Sequence, residues 1–286
     1  MNISDQLTEI AYAKVNLALH VRERRADGYH ALESLFVFAE DGDILRAGHR
    51  DDGVITLAVE GPCGAGLSGD EDNLVMRAAR SLQAATGITA GADIRLDKRL
   101  PVASGIGGGS ADAAATLRLL MRLWNITVEG AVLQQLSLSL GSDVPACLAS
   151  TTQLVRGRGE LLEAQALDDL SCRPMLLVNP RVGVSTASVF AGWDRIDRGP
   201  LDARNIDGLA RAGRNDLEAP ARLLAPVIGD VLQALQAQAP RLVRMSGSGA
   251  TCFALFDDGQ AMTQAATALR HDHPDWWVME TRIRTS

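Results

Sequence analysis

The sequence predicts an α+β protein of two domains, and three observations carry that prediction. Strand-like segments with alternating polarity and segments of helical periodicity are mixed along the chain, which fits helices on one face of a sheet, not a long parallel sheet. A run with four glycines between residues 105 and 109 joins a strand-like segment to an alanine-rich helix. The 286 residues suffice for two domains, or one large one, with an ample core.

The first strand, Ile10 to Arg22, is read from its alternation. Ala11, Ala13, Val15, Leu17, Leu19 and Val21 fall on one face, and Tyr12, Lys14, Asn16, His20 and Arg22 on the other. Lys14 and Asn16 therefore share a face. Asp27-Gly28 marks a turn before Tyr29 and His30, and Leu32–Ala39 reads as the next strand. Ile44–Arg46 and Val54–Val59 read as further strands, and Asp72–Ala85 as a helix capped by Asp72 or Asn73. Ala92–Leu96 is strand-like. The helix behind the glycines shows Leu117, Leu120, Met121 and Trp124 on one stripe, and Gly130–Leu140 is helical as well. Gln153–Arg156 reads as a strand, followed by a turn at Gly157-Arg158-Gly159.

A polar stretch around Asp168 and Asp169 sets a boundary near residue 165, dividing the chain into 1–165 and 166–286. Beyond it the pattern is βαβ-like. Pro174–Val178 is a strand, Ser185–Phe190 opens a helix, and a polar connection runs to Asn215. Asp230–Gln238 is helical. Strands Leu242–Met245 and Thr251–Phe256 bracket the tight turn Ser246-Gly247-Ser248-Gly249, before a helix at Gln260–Arg270 and a last strand at Trp277–Ile283.

Composition narrows the function. A net charge of −7 excludes a broad basic face, and with it general binding of nucleic acid or anionic membrane, while leaving room for one positive pocket. No apolar run is long enough to span a bilayer, and the polar start, Met1 to Glu9, is not a signal peptide. Cys63, Cys147, Cys172 and Cys252 are scattered without ligand spacing, as expected of reduced thiols in a cytoplasmic protein without structural zinc.

The glycine run is the strongest chemical signal. A glycine loop at a helix N-terminus gathers free N–H groups at the positive end of the helix dipole, which suits phosphate. A flexible turn without ligand is the alternative. The run lacks the lysine of a P-loop, and Gly105, Gly107 and Gly109 give G-x-G-x-G, not the dinucleotide fingerprint. Ser110 either caps the following helix or offers its hydroxyl to magnesium.

Pro101-Val102-Ala103-Ser104-Gly105-Ile106-Gly107-Gly108-Gly109-Ser110-Ala111 resembles the central motif of the GHMP kinases, P-x-x-x-G-[LI]-x-G-G-S-[SA]. Ala13-Lys14-Val15-Asn16-Leu17, Arg25 to His30, Glu71-Asp72-Asn73-Leu74 and Gly141-Ser142-Asp143-Val144-Pro145 are similar, in the same order, to the branch of that family acting on a cytidyl diphosphate-linked methylerythritol. This resemblance covers most of the chain, from about residue 10 to 256.

It implies a GHMP kinase fold, with an N-terminal domain like domain 2 of ribosomal protein S5 and a ferredoxin-like C-terminal domain. It also implies ATP as co-substrate with Mg2+, a small-molecule acceptor, and a monomer or weak homodimer. Asp143 is then the base that takes the hydroxyl proton, and Lys14 orients it and neutralises developing charge. Read singly, Asp143 is equally a helix cap and Lys14 a solvated charge; their joint occurrence with the glycine loop favours catalysis. Asn16 is expected to hydrogen-bond substrate. Tyr29 and Phe190 are expected to sandwich the cytosine while His30 reads its edge. Asn73 and Lys98 are implied neighbours of adenine and ribose, with capping the alternative for Asn73. Gly247 and Gly249 shape the substrate side or simply make a hairpin. Many relatives carry more glycine where Ala103 and Ser104 stand and a second serine where Ala111 stands, which leaves Ser110 as the evident magnesium-facing hydroxyl.

Overall fold

A computed structural model describes residues 6–202 and 205–285; Met1–Asp5, Ala203, Arg204 and Ser286, which fall within the two sequence-predicted domains, lie outside the described residues. The chain forms two compact units that interleave along the sequence. Unit one comprises Met1–Ala13, Asp41–Val102 and Gly108–Ala149, and unit two Lys14–Glu40, Ala103–Gly107 and Ser150–Ser286. Two long strands, β1 (Leu7–Arg24) and β2 (His30–Arg50), contribute to both.

In unit one the later part of β2 pairs antiparallel with β4 (Gly91–Asp97), Ile44 facing Asp97 and Arg50 facing Gly91. Strand β3 (Ile55–Glu60) lies parallel to β4, and a parallel neighbour requires a crossover, here helix α1 (Leu74–Thr86). Asn73 caps α1: its Oδ1 accepts the Val75 N–H at 3.0 Å while its Nδ2 donates to Ser68 O at 2.9 Å. Helix α2 (Gly108–Leu123) packs on α1 and on α4 (Val144–Ala149), with α3 (Gly130–Leu140) between. Buried Ala111, Ala113, Ala114 and Ala115 let α2 approach its neighbours closely.

The expected strands Leu32–Ala39 and Ile44–Arg46 are one strand. Gly42 does not turn the chain: a Cβ there would lie 1.9 Å from Ala11 O, so the glycine serves a close strand approach. The expected cap at Ser110 is also corrected. Helix α2 begins at Gly108, inside the glycine run, so Ser110 lies within its first turn.

In unit two β2 pairs with β5 (Gln153–Gly157), which forms a hairpin with β6 (Leu161–Ala164). A second sheet has the order β10-β7-β9-β8 with every pair antiparallel, where β7 is Pro174–Asn179, β8 Leu242–Met245, β9 Cys252–Leu255 and β10 Trp277–Arg282. This is the ferredoxin-like order, so the βαβ-like pattern reflects split units within an antiparallel sheet. Helices α8 (Val227–Gln236) and α9 (Gly259–Asp272) pack on it. The polar connection holds α6 (Ile206–Ala212), and α7 (Glu218–Leu224) follows; the sequence pattern had shown neither. The helix expected at Ser185 is α5 (Thr186–Ala191), with Ser185 as its cap.

Candidate active site

The polar face of β1 is not a solvent face. Lys14 is 4% exposed and Asn16 2%, so a lysine on a half-polar strand is here a buried cation. Burial of an ammonium requires partners. Lys14 Nζ donates to Asn16 Oδ1 at 2.8 Å and stands 4.4 Å from the centre of the Phe36 ring. Asn16 Nδ2 donates to Ser34 Oγ at 2.8 Å, and Ser34 donates on to Ala18 O at 2.6 Å. This relay fixes the amide with its oxygen toward the lysine. The Asn16 side chain thus orients Lys14.

Residues Ala103–Gly107 of the glycine loop belong to the same unit. The Lys14 N–H donates to Ile106 O at 3.1 Å, and a Cβ on Gly107 would approach Lys14 Cε to 3.0 Å. Gly105, at φ +78°, lies against the second glycine turn: a Cβ there would meet Ser246 O at 2.5 Å and Gly249 O at 2.8 Å. Ser246 Oγ donates to Gly105 O at 3.0 Å and accepts the Asn16 N–H at 3.0 Å, and the Thr251 N–H donates to Ser104 O at 3.0 Å. Gly247 therefore does more than make a hairpin, since a Cβ there would lie 2.8 Å from Gly105 O, whereas a Cβ on Gly249 would meet Met245 Sδ at 2.8 Å. Asn215 Nδ2 braces that turn by donating to Met245 O and Gly247 O, both at 2.8 Å. Ser34 and Asn215 carried no sequence signal, because their partners lie far away in the chain.

Unit two also carries the aromatic residues. Tyr29 stands at the Arg25–Tyr29 turn, 60% exposed, with the Arg158 guanidinium 5.1 Å above its ring. His30 stacks on Phe190 at 5.0 Å between ring centres and meets Trp193 edge-on at 5.6 Å. Burial, reinforced by Arg24, lowers the His30 pKa, which favours the neutral ring. The His30 ring itself lies on Phe190. Trp193, missed from sequence because a tryptophan reads as core, completes this cluster.

In unit one the first turn of α2 presents Gly108, Gly109 and Ser110. Gly109 packs beside Leu74, and a Cβ on Gly141 would stand 3.9 Å from Ser110 Oγ, so the serine neighbours the Gly141-Ser142-Asp143 segment. Asp143 is half-buried directly before α4, and its carbonyl accepts the Cys147 N–H at 3.0 Å. Asn73 caps α1 through its Oδ1 and ties its Nδ2 to Ser68 O in the preceding loop, capping being the alternative left open by the sequence. Lys98 is 3% exposed and directs its ammonium inward to Asp43 and Asp112.

Comparison with known proteins accords with this geometry. The GHMP kinase N-terminal domain matches residues 73–151 and the GHMP kinase C-terminal domain residues 200–275. The 4-diphosphocytidyl-2-C-methyl-D-erythritol kinase of Rhizorhabdus wittichii is 57% identical over 282 residues, covering 97% of this chain and 94% of that protein. The kinase of the same name from Sphingopyxis alaskensis is 47% identical over 290 residues, 99% and 100% of the two chains. A crystal structure of 4-(cytidine 5'-diphospho)-2C-methyl-D-erythritol kinase superposes with a TM-score of 0.81 at 36% identity, covering 96% of this chain and 99% of that one. The Methanococcus jannaschii mevalonate kinase, at 11% identity and a TM-score of 0.72, shares the fold. The chain belongs to the GHMP kinases and, among them, to the 4-diphosphocytidyl-2-C-methyl-D-erythritol kinase family.

Proposed function

We propose that this protein transfers the γ-phosphoryl group of ATP to the 2-hydroxyl of 4-diphosphocytidyl-2-C-methyl-D-erythritol, in the non-mevalonate route to isoprenoid precursors. The observation that carries this reading is the buried Lys14, aimed by Asn16 and packed along the glycine loop at Gly107. Phosphoryl transfer asks chiefly for positioning and for neutralising charge on the moving group. Residues Pro101 to Ala111, with the N-terminus of α2, cradle the ATP phosphates. Asp143 takes the proton of the attacking hydroxyl, and Lys14 neutralises charge that develops on the transferred group. Tyr29, His30 and Phe190 select the cytidyl moiety by stacking and edge contacts.

Mg2+ is bound largely through nucleotide phosphates and waters, with only one or two protein oxygens. Ser110 fits that modest demand, because its hydroxyl lies in the first turn of α2 beside Gly141, where the space of a side chain is left open. The ion would neutralise phosphate charge. Matches at 73–151 and 200–275 support a boundary between family domains near residue 165. Free cysteines and a net charge of −7 support a cytoplasmic protein that does not bind nucleic acid, and the family resemblance supports a monomer or weak homodimer. No helix among the described residues is long and apolar enough to cross a membrane.

The test is an ATP-dependent phosphorylation assay with the cytidyl acceptor, homoserine and mevalonate in parallel, repeated with Asp143→Ala. Turnover is expected with the cytidyl acceptor alone, and the variant is expected to lose about a thousandfold in kcat while retaining ATP affinity. Equal turnover of an acceptor lacking cytosine sinks the assignment; near-normal activity of the variant makes Asp143 a helix cap only.

A further inference from the structure

The glycine loop is flanked by two pieces of chain, Lys98–Leu100 before it and the first two turns of α2 after it. Both end on one buried cluster of charge. Asp43 of β2 is 0% exposed. Its Oδ1 accepts two consecutive backbone N–H groups, Arg99 at 2.5 Å and Leu100 at 2.8 Å, and its Oδ2 accepts Lys98 Nζ at 2.5 Å. Lys98 Nζ also donates to Asp112 Oδ2 at 2.6 Å. The other oxygen of Asp112 is buried and has no hydrogen-bond partner among the described residues.

Burial and the neighbouring Asp43 carboxylate raise the Asp112 pKa, opposed by Lys98, while the lysine keeps its charge. Burial opposes the charge of Lys98, but the carboxylates of Asp112 and Asp43 offset it and hold its pKa above the ordinary value. Taking three ionisable groups out of water is costly, and an apolar plug of equal volume would support the core at least as well. What such a plug lacks is direction. A carboxylate accepting two successive N–H groups sets the orientation of the chain entering the loop. The shared ammonium then sets the distance from that entry to the helix leaving it. The cluster also packs tightly at the helix start, since a Cβ on Gly108 would lie 3.1 Å from Lys98 Nζ.

We propose that Asp43, Lys98 and Asp112 are positioning residues for ATP, a buried clamp that fixes both ends of the glycine loop without touching the nucleotide. The proposal rests on the reading of residues 101–111 as the ATP loop. It accounts for the inward-facing lysine, which serves the nucleotide site from behind.

Steady-state kinetics with each substrate varied in turn test the clamp. Asp112→Asn keeps the side-chain shape and removes one charge; the KM for ATP is expected to rise about tenfold, with the KM for the cytidyl acceptor within about twofold. Asp43→Asn lies outside residues 101–111, keeps the side-chain shape and weakens its hold on Lys98 Nζ and on the Arg99 and Leu100 N–H groups, and the same split is expected. A merely structural cluster would instead lower the melting temperature and the active fraction while leaving both KM values in place, and that result overturns the proposal, as does an equal rise in both. Should Asp112→Asn fail to fold, the split in Asp43→Asn decides. If the wild-type protein phosphorylates no cytidyl acceptor, the functional reading fails; ATP affinity of the same variants, measured by calorimetry, then tests the clamp separately.

Discussion

Among single residues, the even-numbered positions of β1 show how tertiary burial overrides an alternating pattern. Lys14, Asn16 and His20 share the face that sequence assigns to solvent, yet His20 is 0% exposed. The Arg214 N–H donates to His20 Nε2 at 3.3 Å, which leaves the ring proton on Nδ1, facing Gly199 O at 3.3 Å. Burial lowers the His20 pKa from 6.5 to about 4, helped by the Arg214 charge and opposed by Asp216, Gly199 and Glu33. Between those two values the unfolded chain binds a proton that the folded chain refuses. Stability therefore rises with pH through this window and is lost as pH falls through it. His20→Gln removes the linkage. In urea unfolding at pH 7 and pH 5, the wild type is expected to lose on the order of 2 kcal/mol more than the variant. Parallel losses would mean that His20 titrates normally. Lys14 itself was legible because its chemistry depends on residue type and strand face. Trp193 and Asn215 were not, because their roles come from neighbours brought together only by folding.

Between elements, the contact that matters most is that of the glycine loop with the turn joining β8 and β9. Both were visible as glycine runs, but their mutual packing was not, since nothing in either run names the other. Gly105 is the contact point, and its left-handed φ of +78° adds backbone strain to the crowding any side chain would meet there. The packing holds the loop in one conformation. A flexible turn tolerates alanine; a loop held backbone to backbone does not. Gly105→Ala is expected to weaken ATP binding by tenfold or more and to cost about 2 kcal/mol of stability, read by calorimetry and thermal unfolding. An unchanged ATP affinity would return the loop to the status of a connector. The same logic explains the misread elements. The strand was read as two, Leu32–Ala39 and Ile44–Arg46, because a glycine such as Gly42 used for close strand approach cannot be told by sequence from one used in a bend. Helix α2 started early because its first residues are glycines, which helix propensity counts against.

For the whole molecule, the interleaving of the two units bears on how the chain holds together. Unit two takes Lys14–Glu40 and Ala103–Gly107 as well as everything after Ala149. Its hydrophobic core includes Leu19 and Val21 of β1 beside Leu176, Val178, Leu217 and Ala254, with Leu32 of β2 packed against it. The backbone is stitched at the same place: the Leu19 N–H donates to Arg214 O at 2.8 Å, the Asp216 N–H to Leu19 O at 2.9 Å, and the Val21 N–H to Asp216 Oδ2 at 2.8 Å. A fragment of residues 166–286 carries the whole four-stranded sheet but lacks every one of these partners. It would expose the apolar surface that Leu19, Val21 and Leu32 cover, and would leave buried polar groups of the 214–216 segment unpaired. Losing three large apolar side chains from a core costs about 2 kcal/mol or more each, comparable with the total stability of a small domain. The fragment is therefore expected to keep far-ultraviolet ellipticity while losing the near-ultraviolet signal and a cooperative thermal transition. Adding residues 1–165 as a separate chain is expected to restore both, because that piece supplies β1 and β2. A sharp melting transition for the isolated fragment would show that its sheet and helices form a self-sufficient domain, and that the β1 and β2 residues only decorate it.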